Sequence, residues 1–189
     1  MLKNLRLLIS AALLLAAPAV SAETTVAELA AAWSAVKYGP ADAAGRLEAA
    51  ERVERDAADL VSRHDTATHR YWLANALCLT AEILHSVSSL QKVRLARDLL
   101  IGAERSEPNN PEVLSLLGSL YYEVPGWPIG FGNRKKALEY LTHALAVDPA
   151  GREPNYFMGD YLLSIGRGSE AVPYLEKALA APQQGDARD

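Results

Sequence analysis

Cysteine occurs once in this sequence, at Cys78, so no internal disulfide is available even in an oxidising compartment. That cysteine sits among Leu77, Leu79 and Ala81 and reads as a small buried hydrophobe. Phenylalanine occurs only twice, while alanine and leucine dominate the 50% hydrophobic content. A core of β-branched and aromatic strands is thereby excluded, and helix faces are left to supply it. Cations are also outnumbered, 19 Lys and Arg against 23 Asp and Glu, and form no basic stripe. Duplex nucleic acid, whose phosphates need such a stripe, is excluded as a partner. Chemistry is equally thin. The four histidines, His64, His69, His85 and His143, never place two ligands on one helix turn. No G-x-S-x-G elbow, dinucleotide fingerprint or phosphate loop is present. The sequence therefore predicts no metal, no cofactor, no catalytic set and no enzymatic activity.

What is present begins with a targeting pattern. Lys3 and Arg6 form a basic start, residues 7–17 an apolar run, and Val20-Ser21-Ala22 a small-residue cleavage site after the helix-breaking Pro18. The run is shorter than the roughly 20 residues a membrane span requires. Residues 1–22 are expected to be a cleaved signal peptide, which makes the protein periplasmic or secreted and leaves no transmembrane segment in the mature chain. Without Lys3 and Arg6 the formal charge moves from −4 to −6. The remaining length suits a single domain.

Internal repetition organises that domain. Leu114-x2-Leu117-Gly118-x2-Tyr121 and Asn155-x2-Met158-Gly159-x2-Leu162 each place a small residue where a second helix must cross closely. The second helices match as well: Ala137-x3-Leu141-x2-Ala144-x4-Pro149 and Ala171-x3-Leu175-x2-Ala178-x3-Pro182 are 34 residues apart, and Ala96-x3-Leu100-x2-Ala103-x4-Pro108 is an upstream copy. Pro108, Pro149 and Pro182 are expected to stop these helices. Asn110 before Pro111, and Ser169, read as N-caps, with Gly166 and Gly168 making the last turn.

Residues 114–182 thus resemble two tetratricopeptide repeats (TPRs), and Trp72-x2-Asn75-Ala76-x2-Leu79 with 96–108 resembles a degenerate third. The resemblance implies an all-α fold, a right-handed stack of antiparallel helical hairpins. The expected layout is a TPR-like domain over 23–182, with repeats near 69–108, 111–149 and 152–182, and a polar tail over 183–189. Two helical segments, 26–37 and 41–64, read as an atypical capping hairpin over 24–64.

The central repeat departs from the period. Gly118 and Gly159 are 41 residues apart, about seven more than one repeat. The extra chain, residues 121–133, alternates proline and glycine with Trp127, Ile129 and Phe131. Trp127 and Phe131 either plug this loop onto its own repeat or wait for a ligand or partner. The loop, with Asn155-Tyr156-Phe157-Met158-Gly159-Asp160-Tyr161, also resembles periplasmic TPR proteins grouped with the T component of tripartite ATP-independent periplasmic (TRAP) transporters. That resemblance implies a self-associating protein that cooperates with a periplasmic solute-binding protein. Such proteins are typically lipid-anchored, and no cysteine follows the signal segment here to accept a lipid.

In stacked hairpins the first helices line a concave groove. The positions facing it are expected to be Glu112, Ser115, Ser119 and Tyr122, then Glu153, Tyr156, Asp160 and Leu163, with Arg70 adding one cation. Carboxylates with tyrosines suit a protein or peptide partner, or a cationic group. The rival arrangement is a hydrolase built on Glu153 and Asp160. The absence of a further helix after residue 182 favours a homo-oligomer joined through the last hairpin.

Overall fold

The computed structural model describes residues 24–40 and 43–181. The signal segment, Pro182 and the polar tail expected from the sequence lie outside the described residues. Within them the chain forms α1 (Val26–Tyr38), α2 (Ala43–Arg63), α3 (Ala67–Leu84), α4 (Val87–Ser106), α5 (Pro111–Glu123), α6 (Arg134–Val147), α7 (Arg152–Ser164) and α8 (Gly168–Ala180). No strand is among them, and none is long and apolar enough to cross a membrane.

Local chemistry explains most boundaries. Asn110 Oδ1 accepts from the amides of Glu112 and Val113, both at 3.1 Å, and Pro111 opens α5, where its missing N–H costs nothing. Thr25 and Glu28 form a reciprocal capping box at α1, Thr66 caps α3, and Asn133 caps α6. Pro108 and Pro149 each stand two residues beyond the end of their helix. At α8 the sequence reading fails. Ser169 is already inside that helix, whose N-cap is Arg167 without a side-chain cap bond. Gly166 alone makes the turn, at φ 78°, a conformation that a side chain would strain.

Helices α3 with α4, α5 with α6, and α7 with α8 pack as hairpins, and α3, α5 and α7 then lie side by side in an inner layer. Each hairpin closes on small residues. A methyl group built on Gly118 would sit 2.6 Å from Leu141 Cδ2 and 3.4 Å from the Ala137 carbonyl oxygen. At Gly159 the same distances recur to Leu175 Cδ2 and the Ala171 carbonyl. Ala137, Leu141, Ala144 and Ala171 have no exposed surface, nor do Ala96, Leu100 and Ala103 of α4. The third copy thus packs like the other two.

At the N-terminal end, α1 and α2 both pack on α3. Trp33 of α1 donates its indole N–H to the Asn75 carbonyl at 3.3 Å and meets the Trp72 ring edge-on at 6.4 Å. Lys92 of α4 reaches Glu54 of α2, with Nζ to oxygen distances of 2.6 and 2.8 Å. This hairpin is therefore tied to the array by polar as well as apolar contacts.

Gly118→Ala sets two terms against each other. Alanine gains about 1 kcal/mol of helix propensity. Crowding Leu141 costs about 1–3 kcal/mol, and the cost is expected to win. In a Leu141→Ala background, itself destabilised by about 2–5 kcal/mol, the added methyl enters vacated space and becomes neutral or stabilising. Denaturant unfolding of the four-member cycle measures this change of sign, and additive effects would show that the two residues do not share one contact.

Candidate functional site

The inner layer brings the ends of α1, α3, α5 and α7 to one face, and its chemistry divides into two ends. At one end Glu112 and Glu153 flank the buried Tyr71. Burial first, and these two carboxylates next, keep the Tyr71 phenol protonated far above its ordinary range. At the other end Tyr122 donates its hydroxyl to Asp160 Oδ2 at 2.5 Å, linking α5 to α7. Tyr122 also meets the Tyr161 ring edge-on at 5.5 Å. Around this link stand Glu123 and Tyr156, with Glu82 close enough to act electrostatically on both, Lys37 on Glu123 and Tyr38 on Tyr156.

Not every expected residue takes part. Ser115 and Ser119 are buried, their hydroxyls donating to the carbonyls of Pro111 at 2.6 Å and Leu116 at 3.0 Å. They floor the face and offer it no free group. Arg70 is turned elsewhere. It pairs with Asp65 through two bonds of 2.5 and 2.6 Å, and its guanidinium covers Gly102 of α4, where a methyl group would lie 2.6 Å from Nη1. The cation at the face is instead Lys37 of α1, paired with Glu82 of α3. Glu153 and Asp160 are seven residues apart, about 10 Å along one helix, and so stand toward opposite ends of the face. The carboxylate that stands with Asp160 is Glu123.

The loop after α5 adjoins this acidic end. Gly132 donates to the Pro125 carbonyl at 3.0 Å, Gly130 to Gly126 at 3.1 Å, and Asn133 to Tyr121 at 2.7 Å, so the loop holds its shape by its own backbone. Its two large aromatics separate. Phe131 packs inward, edge-on to Tyr121 at 5.7 Å and beneath the Arg97 guanidinium at 4.5 Å. Trp127 points away and is 90% exposed, and Ile129 is 65% exposed.

Among solved structures the chain is similar to a thermophilic TPR protein of Thermus thermophilus, at 22% sequence identity over 84% of each chain and a TM-score of 0.60. The fold is that of a TPR array. A likeness to MamA covers 81% of this chain and 85% of that one at 19% identity, with a TM-score of 0.39. No protein-family model and no curated protein matches the chain.

Within this TPR fold the acidic end has an unusual member. The Glu123 side chain is exposed at the end of α5, with its carboxyl close to Asp160, Lys37 and Glu82. Its carboxyl is pushed up to about 7, chiefly by desolvation and then by the Asp160 charge, with Lys37 pulling it back. Burial likewise pushes the nearby Cys78 thiol up to about 12, which keeps it protonated, in line with its reading as a hydrophobe. Sequence reasoning missed Glu123, Glu82, Lys37 and Tyr38. The first directly follows Tyr122 and was within reach of the repeat pattern, whereas Lys37 and Tyr38 belong to a hairpin with no repeat signature.

The raised value has a definite sign. A carboxyl lifted from 4.5 to about 7 on folding is favoured as its neutral form, so stability is lost as pH rises between those values and is flat beyond. Glu123→Gln should remove that loss, and a carboxyl-carbon NMR titration should place the Glu123 midpoint well above the ordinary glutamate range. Asp160→Asn should lower the midpoint and Lys37→Met raise it. A midpoint near 4.5, unmoved by either change, would refute the arrangement.

Proposed function

We propose that this protein is an exported interaction module whose concave face binds an extended polypeptide segment through a basic side chain. The observation that carries the reading is the convergence of Glu82, Glu123 and Asp160 with Tyr38 and Tyr156. The two tyrosines present open ring surface, Tyr38 being 77% and Tyr156 49% exposed. A lysine or arginine inserted here meets carboxylates for charge-assisted hydrogen bonds and rings for stiff contact area. Lys37 already neutralises part of the cluster through Glu82, which leaves Glu123 and Asp160 as the pair in need of a countercharge. Export rests on the pattern of residues 1–22. A solute-binding protein would be the partner if the TRAP resemblance governs, but the structural relatives lend that role no support.

Binding of arginine-containing peptides, followed by calorimetry, should weaken at least about tenfold in the Glu123→Gln, Asp160→Asn double variant, consistent with hydrogen bonds to charged groups worth about 1.5–3 kcal/mol each. It should also weaken with salt. Retention of full affinity in the double variant would move the binding site off this face.

Self-association has its own supporting observation. Leu145 of α6 packs into the core cluster, yet its counterpart 34 residues on, Leu179 of α8, is 81% exposed. Tyr122 is covered by α7, while its counterpart Leu163 is exposed. Both are positions that a following hairpin covers in the earlier repeat, and we assign them to contact with a second copy. Leu163→Glu with Leu179→Glu should shift the light-scattering mass toward monomer while leaving the helical circular dichroism unchanged. A wild-type protein that stays monomeric at high concentration would end this assignment.

A further inference from the structure

The loop that interrupts the central repeat carries a surface the concave-face reading does not use. Trp127 and Ile129 stand outward on either side of Pro128, at the tip of a segment braced by its own hydrogen bonds. Cations gather beneath them. Arg94 of α4 donates to the Ile129 carbonyl at 3.3 Å, Arg97 lies over the Phe131 ring, and Lys136 lies over the Tyr121 ring at 5.3 Å. Arg134 shares the cleft at the loop base with Gly126 and Gly132, and Lys135 follows it, strongly exposed. The carboxylates in the same neighbourhood are Asp98, paired with Arg97, Glu139, 4.0 Å from Lys135, and Glu123. Glu104, which accepts from Tyr140 at 3.2 Å behind the Tyr121 ring, is a fourth, so five cations against four carboxylates leave this region slightly positive on a chain whose formal charge is −4.

We propose that the Trp127–Ile129 tip and its cations form a contact with the surface of an acidic-lipid bilayer. An indole and a branched aliphatic chain on a rigid convex tip bury themselves at the headgroup boundary without requiring a matching pocket. The flanking Arg and Lys side chains then reach anionic headgroups at the same depth. A protein hot spot, by contrast, sits within a wide patch whose surrounding contacts exclude water, and charged side chains ring this tip where such contacts would lie. The observations therefore favour a lipid surface over a protein partner.

The test uses the full chain with phosphatidylcholine vesicles, with and without phosphatidylglycerol, carrying brominated acyl chains. Residues 7–17 can hold the chain on a bilayer by themselves, so sedimentation is a poor readout and quenching of tryptophan fluorescence is the better one. Trp33 and Trp72 are packed in the body. The expected result is quenching in the acidic vesicles that disappears in Trp127→Phe, weakens about fivefold or more in the Arg134→Glu, Lys135→Glu double variant, and falls with added salt. Trp127 is exposed, so Trp127→Phe should keep the wild-type circular dichroism, which verifies that the comparison is between folded proteins. Equal quenching in wild type and Trp127→Phe overturns the proposal. A Trp127 response to polyglutamate and none to vesicles overturns it as well, and assigns the patch to an acidic polypeptide.

Discussion

Close approach of paired helices at Gly118 and Gly159 is the constraint on which the rest of this structure depends. A leucine from the partner helix, Leu141 or Leu175, occupies the space a side chain would take, and a backbone carbonyl stands just beyond it. Helices of thirteen or so residues are marginal alone in water, so each becomes stable by burying one face on a partner. Once the repeat hairpins close with one geometry, stacking them puts their first helices side by side along a single face. The chemistry of that face is thus set by the residues left over when packing is satisfied.

That distinction explains which parts were legible in advance. Spacing carries packing information, because a small residue and its leucine recur wherever a crossing recurs, so the hairpins, the stops at Pro108 and Pro149 and the Asn110 cap were all readable. Groove membership is harder, since a position facing the inner layer can be buried by the neighbouring helices. Ser115 and Ser119 met this fate and turned their hydroxyls back on their own helix. Arg70 was misplaced for a related reason: α3 holds two fully buried small residues, Ala74 and Ala76, and an alignment on Ala76 turns Arg70 toward the groove. The Arg70 contact with Gly102 shows that this face of α3 meets α4. Lys37 and Glu82 lie 45 residues apart in sequence, in helices related by no period, and only the fold brings them together.

The insertion in the central repeat shows how one extra segment divides its own side chains. Phe131 completes an aromatic cluster with Tyr121 and Tyr140, whose rings stack at 5.6 Å, and this cluster anchors the loop to the middle of α6. With one aromatic committed to the anchor, the backbone bonds of Pro125, Gly126, Gly130 and Gly132 hold the remainder in a narrow turn with no interior. Trp127 then has nowhere inward to go. A composition rich in proline, glycine and large apolar groups predicts a shaped loop, but not which of its rings becomes the anchor.

Charge on this molecule is best understood as segregated. A formal charge of −4 describes neither the acidic end of the inner layer nor the region around Trp127. At the former, Glu123 is raised because desolvation and Asp160 act together, and a cationic ligand there would reverse that effect by favouring the ionised form. At the latter, Arg94 lies against a backbone carbonyl and Lys136 over a ring, while Arg97 is paired with Asp98 and Lys135 stands 4.0 Å from Glu139. The two regions meet where α5 ends, since Glu123 and Arg134 border the same cleft at the base of the loop. A cation bound at the acidic end that drew Glu123 into its ionised form would therefore add negative charge beside the basic loop.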